Sequence, residues 1–192
     1  MSRSLLVAFF LVAALTVVAF LAATVPAQSP ATPPKEASLA KGPAAVITMD
    51  DGGEIRLEFW AADAPNHVKN FLDLARKGFY DGQKVHRVEP KFVVQFGDPQ
   101  TKTLPLSDPR IGTGGPGYTV KAEFNKHPFE RGVLGMARTS DPDSAGSQVY
   151  IMLGPAPFLN GKYTAFGRVS SGMEVVDRIK VGDRIKAIKI VQ

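Results

Sequence analysis

Three histidines, eighteen carboxylates and the hydroxyl side chains are the groups of this 192-residue chain that could do covalent chemistry. Their spacing supports none. His67, His86 and His127 lie far apart and share no metal-ligand spacing, so each reads as a surface or packing residue. No serine sits in a Gly-x-Ser-x-Gly elbow, which leaves hydrolase geometry unsupported. Gly161-Lys162 has no glycine at the right distance upstream for a phosphate loop, and Tyr163 stands where Ser or Thr would bind Mg²⁺. Cysteine is absent, which excludes thiol catalysis, disulfides, Cys-based zinc sites and lipoprotein attachment. No two carboxylates are marked as acid and base. The chain therefore lacks the equipment for hydrolysis or group transfer and implies no cofactor and no metal. A reaction that makes and breaks no covalent bond needs none of that equipment.

The elements that would position any site are legible from periodicity. Ala45–Met49 and Glu54–Phe59 flank the turn cluster Asp50-Asp51-Gly52-Gly53, predicting a β-hairpin with Ile55, Leu57 and Phe59 on the buried face. Pro65 opens a helix whose apolar stripe is Val68, Phe71, Leu72 and Ala75, and Gly78 ends it. From Val85 to Ile151 short apolar runs alternate with Gly and Pro clusters. Phe92–Phe96, Val133–Ala137, Gln148–Leu153, Thr164–Val169 and a last run from Ile185 to Ile190 read as strands. Gly172–Lys180 reads as a second short helix. Many short strands with two helices predict a closed β-barrel or a sandwich with helical plugs.

Composition is that of a globular domain, 44% apolar and 21% charged. The formal charge of +5 is spread among acidic neighbours, with no run of like charges, so nucleic acid is not an expected partner. Residues 1–27 read as a leader. Arg3 is followed by an apolar or neutral stretch, Leu5–Ala23, and Val25-Pro26-Ala27 offers a cleavage site before Gln28. That stretch of 19 residues is also just long enough to span a bilayer, so an uncleaved anchor is the alternative. Residues 28–44, with Pro30, Pro33, Pro34 and Pro43, read as a flexible Pro/Ala-rich linker, and 45–192 as one folded domain. The expectation is an exported protein, periplasmic or secreted, touching a membrane only if the leader stays attached. Nothing signals an oligomer, and a monomer is expected.

Three stretches carry a specific resemblance. The first is Phe79-Tyr80-Asp81-Gly82, then Val85-His86-Arg87-Val88, then Pro90 to Pro99. The second is Gly112-Thr113-Gly114-Gly115-Pro116-Gly117-Tyr118. The third is Gly132 to Thr139, then Ser144 to Ile151, with the tail Phe158 to Val169. In this order and spacing they resemble the cyclophilins, above all the bacterial ones, across Ala45 to Gln192. The resemblance implies a closed eight-stranded antiparallel β-barrel capped by two α-helices, cyclophilin-like, and a groove that binds X-Pro peptides. It implies peptidyl-prolyl cis–trans isomerase activity that assists the folding of exported proteins, with unfolded or proline-containing polypeptides as partners. By the same resemblance Arg87 falls on the catalytic arginine. Phe92, Val93, Tyr150, Leu159 and Tyr163 fall on the proline pocket. Gln95, with the backbone of Ala137 and Arg138, falls on the peptide-holding wall, and Gln148 and Phe158 line the groove further along.

These residue types suit the reaction. The X-Pro bond is a tertiary amide with cis and trans close in energy, separated by about 18–20 kcal/mol because rotation breaks amide resonance. A catalyst has only to favour the twisted amide over both planar forms. An apolar pocket grips the ring, and an always-charged guanidinium with a rigid fork of donors can act on the twisted nitrogen or hold the proline carbonyl. The chain also departs from the family's pattern. Phe96 stands in place of a glycine and is expected to press on the groove or alter the local backbone. Val149 replaces a phenylalanine behind the pocket and should leave space or recruit a neighbour. Phe158 replaces a tryptophan linked to cyclosporin binding, which implies weak drug sensitivity. Two other readings stand beside the enzyme: a proline-peptide-binding chaperone module with little turnover, and a membrane-anchored adaptor that recruits clients.

Overall fold

The computed structural model describes residues 42–191, so the expected leader and most of the expected linker lie outside the described residues. β1 (Ala44–Met49) and β2 (Glu54–Phe59) pair antiparallel around the Asp50–Gly53 turn, and Ile55, Leu57 and Phe59 are buried. The strand begins one residue before the expected domain boundary. Helix α1 (Pro65–Arg76) buries Val68, Phe71, Leu72 and Ala75, and Gly78 follows it with a φ of +64°. Its start is less local. Ala64 at the N-cap has no side-chain oxygen to offer. The carboxylate of Glu123, more than fifty residues away, accepts instead from the backbone N–H groups of Asn66 and His67, at 3.0 and 2.9 Å.

The remaining strands are β3 (Arg87–Glu89), β4 (Val93–Phe96), β5 (Val133–Met136), β6 (Val149–Met152), β7 (Ala165–Ser171) and β8 (Ile185–Val191). Helix α2 (Met173–Val176) is shorter than periodicity predicts, although Ile179 beyond it still packs in the core. Three 3₁₀ turns, at 99–102, 142–144 and 157–159, each open on a proline and escaped the sequence reading.

All eight strands form one antiparallel sheet in the order β3-β4-β6-β5-β7-β2-β1-β8. The sheet is open and strongly curled, a half-barrel capped by helices, and this corrects the expected closed barrel. The end strands β3 and β8 share no ladder. The chain ahead of β3 meets the start of β8 only at an isolated bridge, Lys84 to Arg184, flanked by Val85 N–H donating to Asp183 and Ile185 N–H to Gln83. Closure needs first and last strands that lie alongside one another with a fixed stagger. β3 has only three residues before the Pro90 turn and offers no length for such a ladder.

Alternation along the strands divides the apolar residues between two faces. Val94, Phe96, Leu134, Met136, Val149, Ile151 and Phe166 point into the curl, where they meet the stripe of α1 and Val175 and Val176 of α2. Val93, Val133, Tyr150, Met152 and Ala165 point outward and form a second cluster with Phe129, Ala156 and Leu159. That second, outer cluster is where the site lies.

Candidate active site

One cross-strand row builds the site. Arg87 on β3 is opposite Gln95 on β4, Gln95 is opposite Tyr150 on β6, and Tyr150 is opposite Gly135 on β5. Directly opposed residues share a face of the sheet, so all four face outward. The turn between β3 and β4 places the next element. Phe92 N–H donates to the Glu89 carbonyl at 3.0 Å, with Pro90 and Lys91 between them. Lys91 adopts a φ of +63°, a left-handed value that such a turn demands at this position and that L side chains rarely adopt. Phe92 thus precedes the strand, and it packs against the same outer cluster as buried Val93.

A directed hydrogen-bond relay runs along the polar side of the row. Arg87 Nη1 donates to Gln95 Oε1 at 3.2 Å. Gln95 Nε2 donates to Gln148 Oε1 at 2.9 Å. Gln148 Nε2 donates to the carbonyls of Gly112 and Gly114, at 2.9 and 2.8 Å. A guanidinium only donates and a carbonyl only accepts, so both amide orientations are fixed from the two ends. The far end is itself anchored: the fully buried Asp98 accepts from the N–H of Gly112 and, at 3.4 Å, of Gly114. The Gly-Asp-Pro and Gly-Thr-Gly-Gly motifs, separate in sequence, are therefore one support for Arg87.

The guanidinium itself is half-exposed. Its Nε lies 3.5 Å from Glu89 Oε1, and its carbon lies 5.8 Å from the centre of the Phe92 ring. His86, the preceding residue, is half-buried, and both its ring nitrogens are shielded from solvent. Burial pushes its pKa down, and the neighbouring Arg87 charge adds to that against the pull of Asp98 and Gln148. A neutral imidazole thus backs the arginine.

Beside Arg87 the outer cluster presents an apolar surface rich in aromatic rings. Tyr150 meets Phe129 at 5.9 Å and the Tyr163 ring edge-on at 6.3 Å. Phe92 meets Phe158 at 5.8 Å. Val93, Tyr150 and Leu159 are buried, Phe92 and Tyr163 half-buried, and Phe158 is 62% exposed at the rim. Burial pushes the Tyr150 phenol pKa far up, so it is uncharged. An open groove of ≈ 570 Å³ continues from the relay, lined by Gln95, Gly114, Thr119, Ala137, Ser144 and Gln148 among others. Every residue assigned to the site from the sequence thus lies on the outer face or along this groove.

Several neighbours were missed by the sequence reading. Phe129, Trp60, Val133 and Met152 complete the outer cluster. Met152 was findable, since it lies two residues from Tyr150 on one strand. Phe129 and Trp60 sit in irregular segments where periodicity is silent. Trp60 is stacked on His127, with ring centres 3.7 Å apart. Phe96 acts differently from its expectation: its side chain enters the interior, where it meets Tyr80 edge-on at 6.0 Å. Its cross-strand partner is Val149, so the large residue and the small one share that interior space.

Comparison with known proteins places the whole described domain in one family. Residues 44–192 match the family model described as cyclophilin type peptidyl-prolyl cis-trans isomerase. A probable peptidyl-prolyl cis-trans isomerase of Brucella abortus is 42% identical over 176 residues, covering 90% of this chain and 87% of the relative. Peptidyl-prolyl cis-trans isomerase B of Bacillus subtilis is 43% identical over 144 residues, covering 74% of this chain and 94% of the relative. A cyclophilin-type isomerase of Cryptosporidium parvum superposes with a TM-score of 0.68 at 27% identity, over 78% of this chain and 97% of that one. The same protein has been solved in the presence of the dipeptide Ala-Pro.

Proposed function

This chain belongs to the cyclophilin-type peptidyl-prolyl cis–trans isomerase family and is an isomerase of X-Pro bonds in proline-containing polypeptides, and from that premise we propose that Arg87 is its catalytic residue. The proline ring enters the pocket of Phe92, Val93, Tyr150, Leu159 and Tyr163. The peptide backbone lies along Gln95, Ala137 and Arg138, and flanking residues run towards Gln148 on one side and Phe158 on the other.

Catalysis then follows from differential stabilisation. In either planar isomer the proline nitrogen lends its lone pair to the carbonyl and is a poor acceptor. On twisting, resonance is lost and the nitrogen becomes pyramidal and basic. A guanidinium held at the right height donates to it, or to the proline carbonyl, and so favours the transition state over both ground states. The apolar pocket keeps water away and grips the ring in all three states, which contributes binding more than rate. No proton is transferred. The carrying observation is the relay from Arg87 through Gln95 and Gln148 to the glycine carbonyls, because it orients the guanidinium before substrate arrives.

The leader reading makes the clients exported polypeptides, with the mature chain starting at Gln28. N-terminal sequencing of the protein from its native host checks this, since an anchored form would begin near Met1. The catalytic reading is tested by NMR exchange on a blocked Ala-Ala-Pro-Phe peptide, using residues 28–192 and Arg87→Ala. The variant is expected to bind the peptide while losing roughly 10²–10³-fold in exchange rate. A parent that binds without accelerating exchange would instead make the domain a proline-recognition module.

A further inference from the structure

The resemblance gives Arg138 a role through its main chain alone, but its side chain has built contacts of its own. The pocket wall carrying Leu159 and Tyr163 is a tight turn closed on itself, with the N–H groups of Lys162 and Tyr163 both donating to the Leu159 carbonyl. Across a gap lies the loop after β5, braced internally by Thr139 and Ser144, whose hydroxyls lie 2.8 Å apart. The two loops are joined at their base, where Met136 N–H donates to the Thr164 carbonyl. Further out, Arg138 spans the gap. Its Nη1 donates to the carbonyls of Thr139 and Ser140 at 2.8 and 3.3 Å, and its Nη2 donates to the Lys162 carbonyl at 2.8 Å. The guanidinium carbon lies 4.2 Å from the centre of the Tyr163 ring. Among the described residues no other side chain hydrogen bonds across that gap.

We propose that the Arg138 side chain is a positioning residue that latches Tyr163 into the wall of the proline pocket and so sets the pocket's affinity for the ring. The inference rests on the pocket reading above. Its chemistry is particular to arginine. Three carbonyls converge on one planar fork, while the face of that plane lies over an aromatic ring. A lysine ammonium is a point charge and cannot meet both demands. The side chain touches no reacting atom. The pocket grips the ring alike in planar and twisted states, so loosening the wall weakens binding uniformly.

That uniformity separates a latch from a merely structural contact. A residue that only supports folding lowers the active fraction, which reduces the apparent maximal rate and leaves affinity unchanged. Loss of the latch does the reverse. The experiment titrates the blocked Ala-Ala-Pro-Phe peptide into residues 28–192 by NMR and measures exchange at saturation, for Arg138→Met, Tyr163→Leu and the double variant. Arg138→Met keeps the apolar stem and is expected to weaken binding roughly tenfold, with the saturated exchange rate within about twofold of the parent. In the Tyr163→Leu background the same change is expected to add little. Unaltered affinity in Arg138→Met would overturn the latch, as would a full further loss in the double variant. Tyr163→Leu binding as tightly as the parent would overturn the pocket reading itself. Should Arg138→Met fail to fold, Arg138→Lys carries the test: it is expected to weaken binding similarly, and full rescue by lysine would refute the role of the fork.

Discussion

Individual side chains here work in pairs whose members are distant in sequence. Gly135 and Tyr150 are the sharpest case. They are directly opposed across β5 and β6, and the phenol ring lies against the bare glycine backbone. A Cβ at Gly135 would fall 2.2 Å from Tyr150 Cζ and 2.3 Å from its Oη, an impossible approach. The ring would have to lift away from the strand. We expect Gly135→Ala to weaken peptide binding at least tenfold and to cost about 1–3 kcal/mol of stability from overpacking. Peptide titration and urea denaturation of the variant check both figures. Unaltered affinity would mean that the ring can leave the strand without entering the pocket. Arg87 is held more locally, by Gln95 across the β3–β4 turn and by Glu89 two residues on along its own face. That orientation is why an isolated arginine in the sequence reads as an ordinary surface residue, while the same arginine in this row does not.

At the scale of the element, β4 and β6 carry two of the chain's departures from its family pattern. Phe96 and Val149 look like two separate losses in the sequence, one towards bulk and one towards emptiness. In the fold they are cross-strand partners, both buried and both facing the interior. The large and the small side chain fill the space together, and neither lines the groove on the opposite face. Phe96→Ala alone is expected to cost about 3–5 kcal/mol through the cavity it leaves. Val149→Phe alone is expected to cost about 1–3 kcal/mol through overpacking. Combined, they should cost less than the sum by more than about 1 kcal/mol, because each relieves the other. Denaturant midpoints of the four proteins measure this coupling, and simple additivity would show that the two side chains do not compete for one space. Helix α1 makes a related point, because the residue capping its N-terminus is Glu123 from a distant loop.

For the whole molecule, the buried His67 and the half-buried His86 tie stability to pH. Glu123 only accepts, so His67 Nδ1 carries the proton in their 2.7 Å contact and Nε2 is left as a buried, unpartnered acceptor. Burial pushes the His67 pKa below its ordinary 6.5 and outweighs the opposing hydrogen bond and charge of Glu123. Burial lowers His86 as well. Both are therefore neutral in the fold at a pH where the unfolded chain begins to take up protons. Stability is therefore fully present above about pH 6.5 and is lost as pH falls from there towards the lowered folded values. The urea midpoint is expected to fall between pH 7.5 and pH 5.5, and His67→Gln should flatten part of that slope. A midpoint that rises on acidification would mean that the Glu123 contact, not burial, dominates His67.

What the sequence determined by itself depends on local order and period. The β1–β2 hairpin, the apolar stripe of α1 and most strand positions follow from alternation and turn residues, and the ordered motifs marked the family and nominated the site residues. Tertiary structure alone decided what depends on register and approach between distant segments. Whether the sheet closes rests on how β3 and β8 meet, and a three-residue strand leaves it open. Which face Phe96 occupies follows from its pairing with Val149. That Glu123 caps α1, that Arg138 reaches the Lys162 carbonyl and that Phe129 joins the outer cluster are contacts that involve irregular segments. Such contacts leave no period in the sequence, because only the three-dimensional path of the chain brings their partners together.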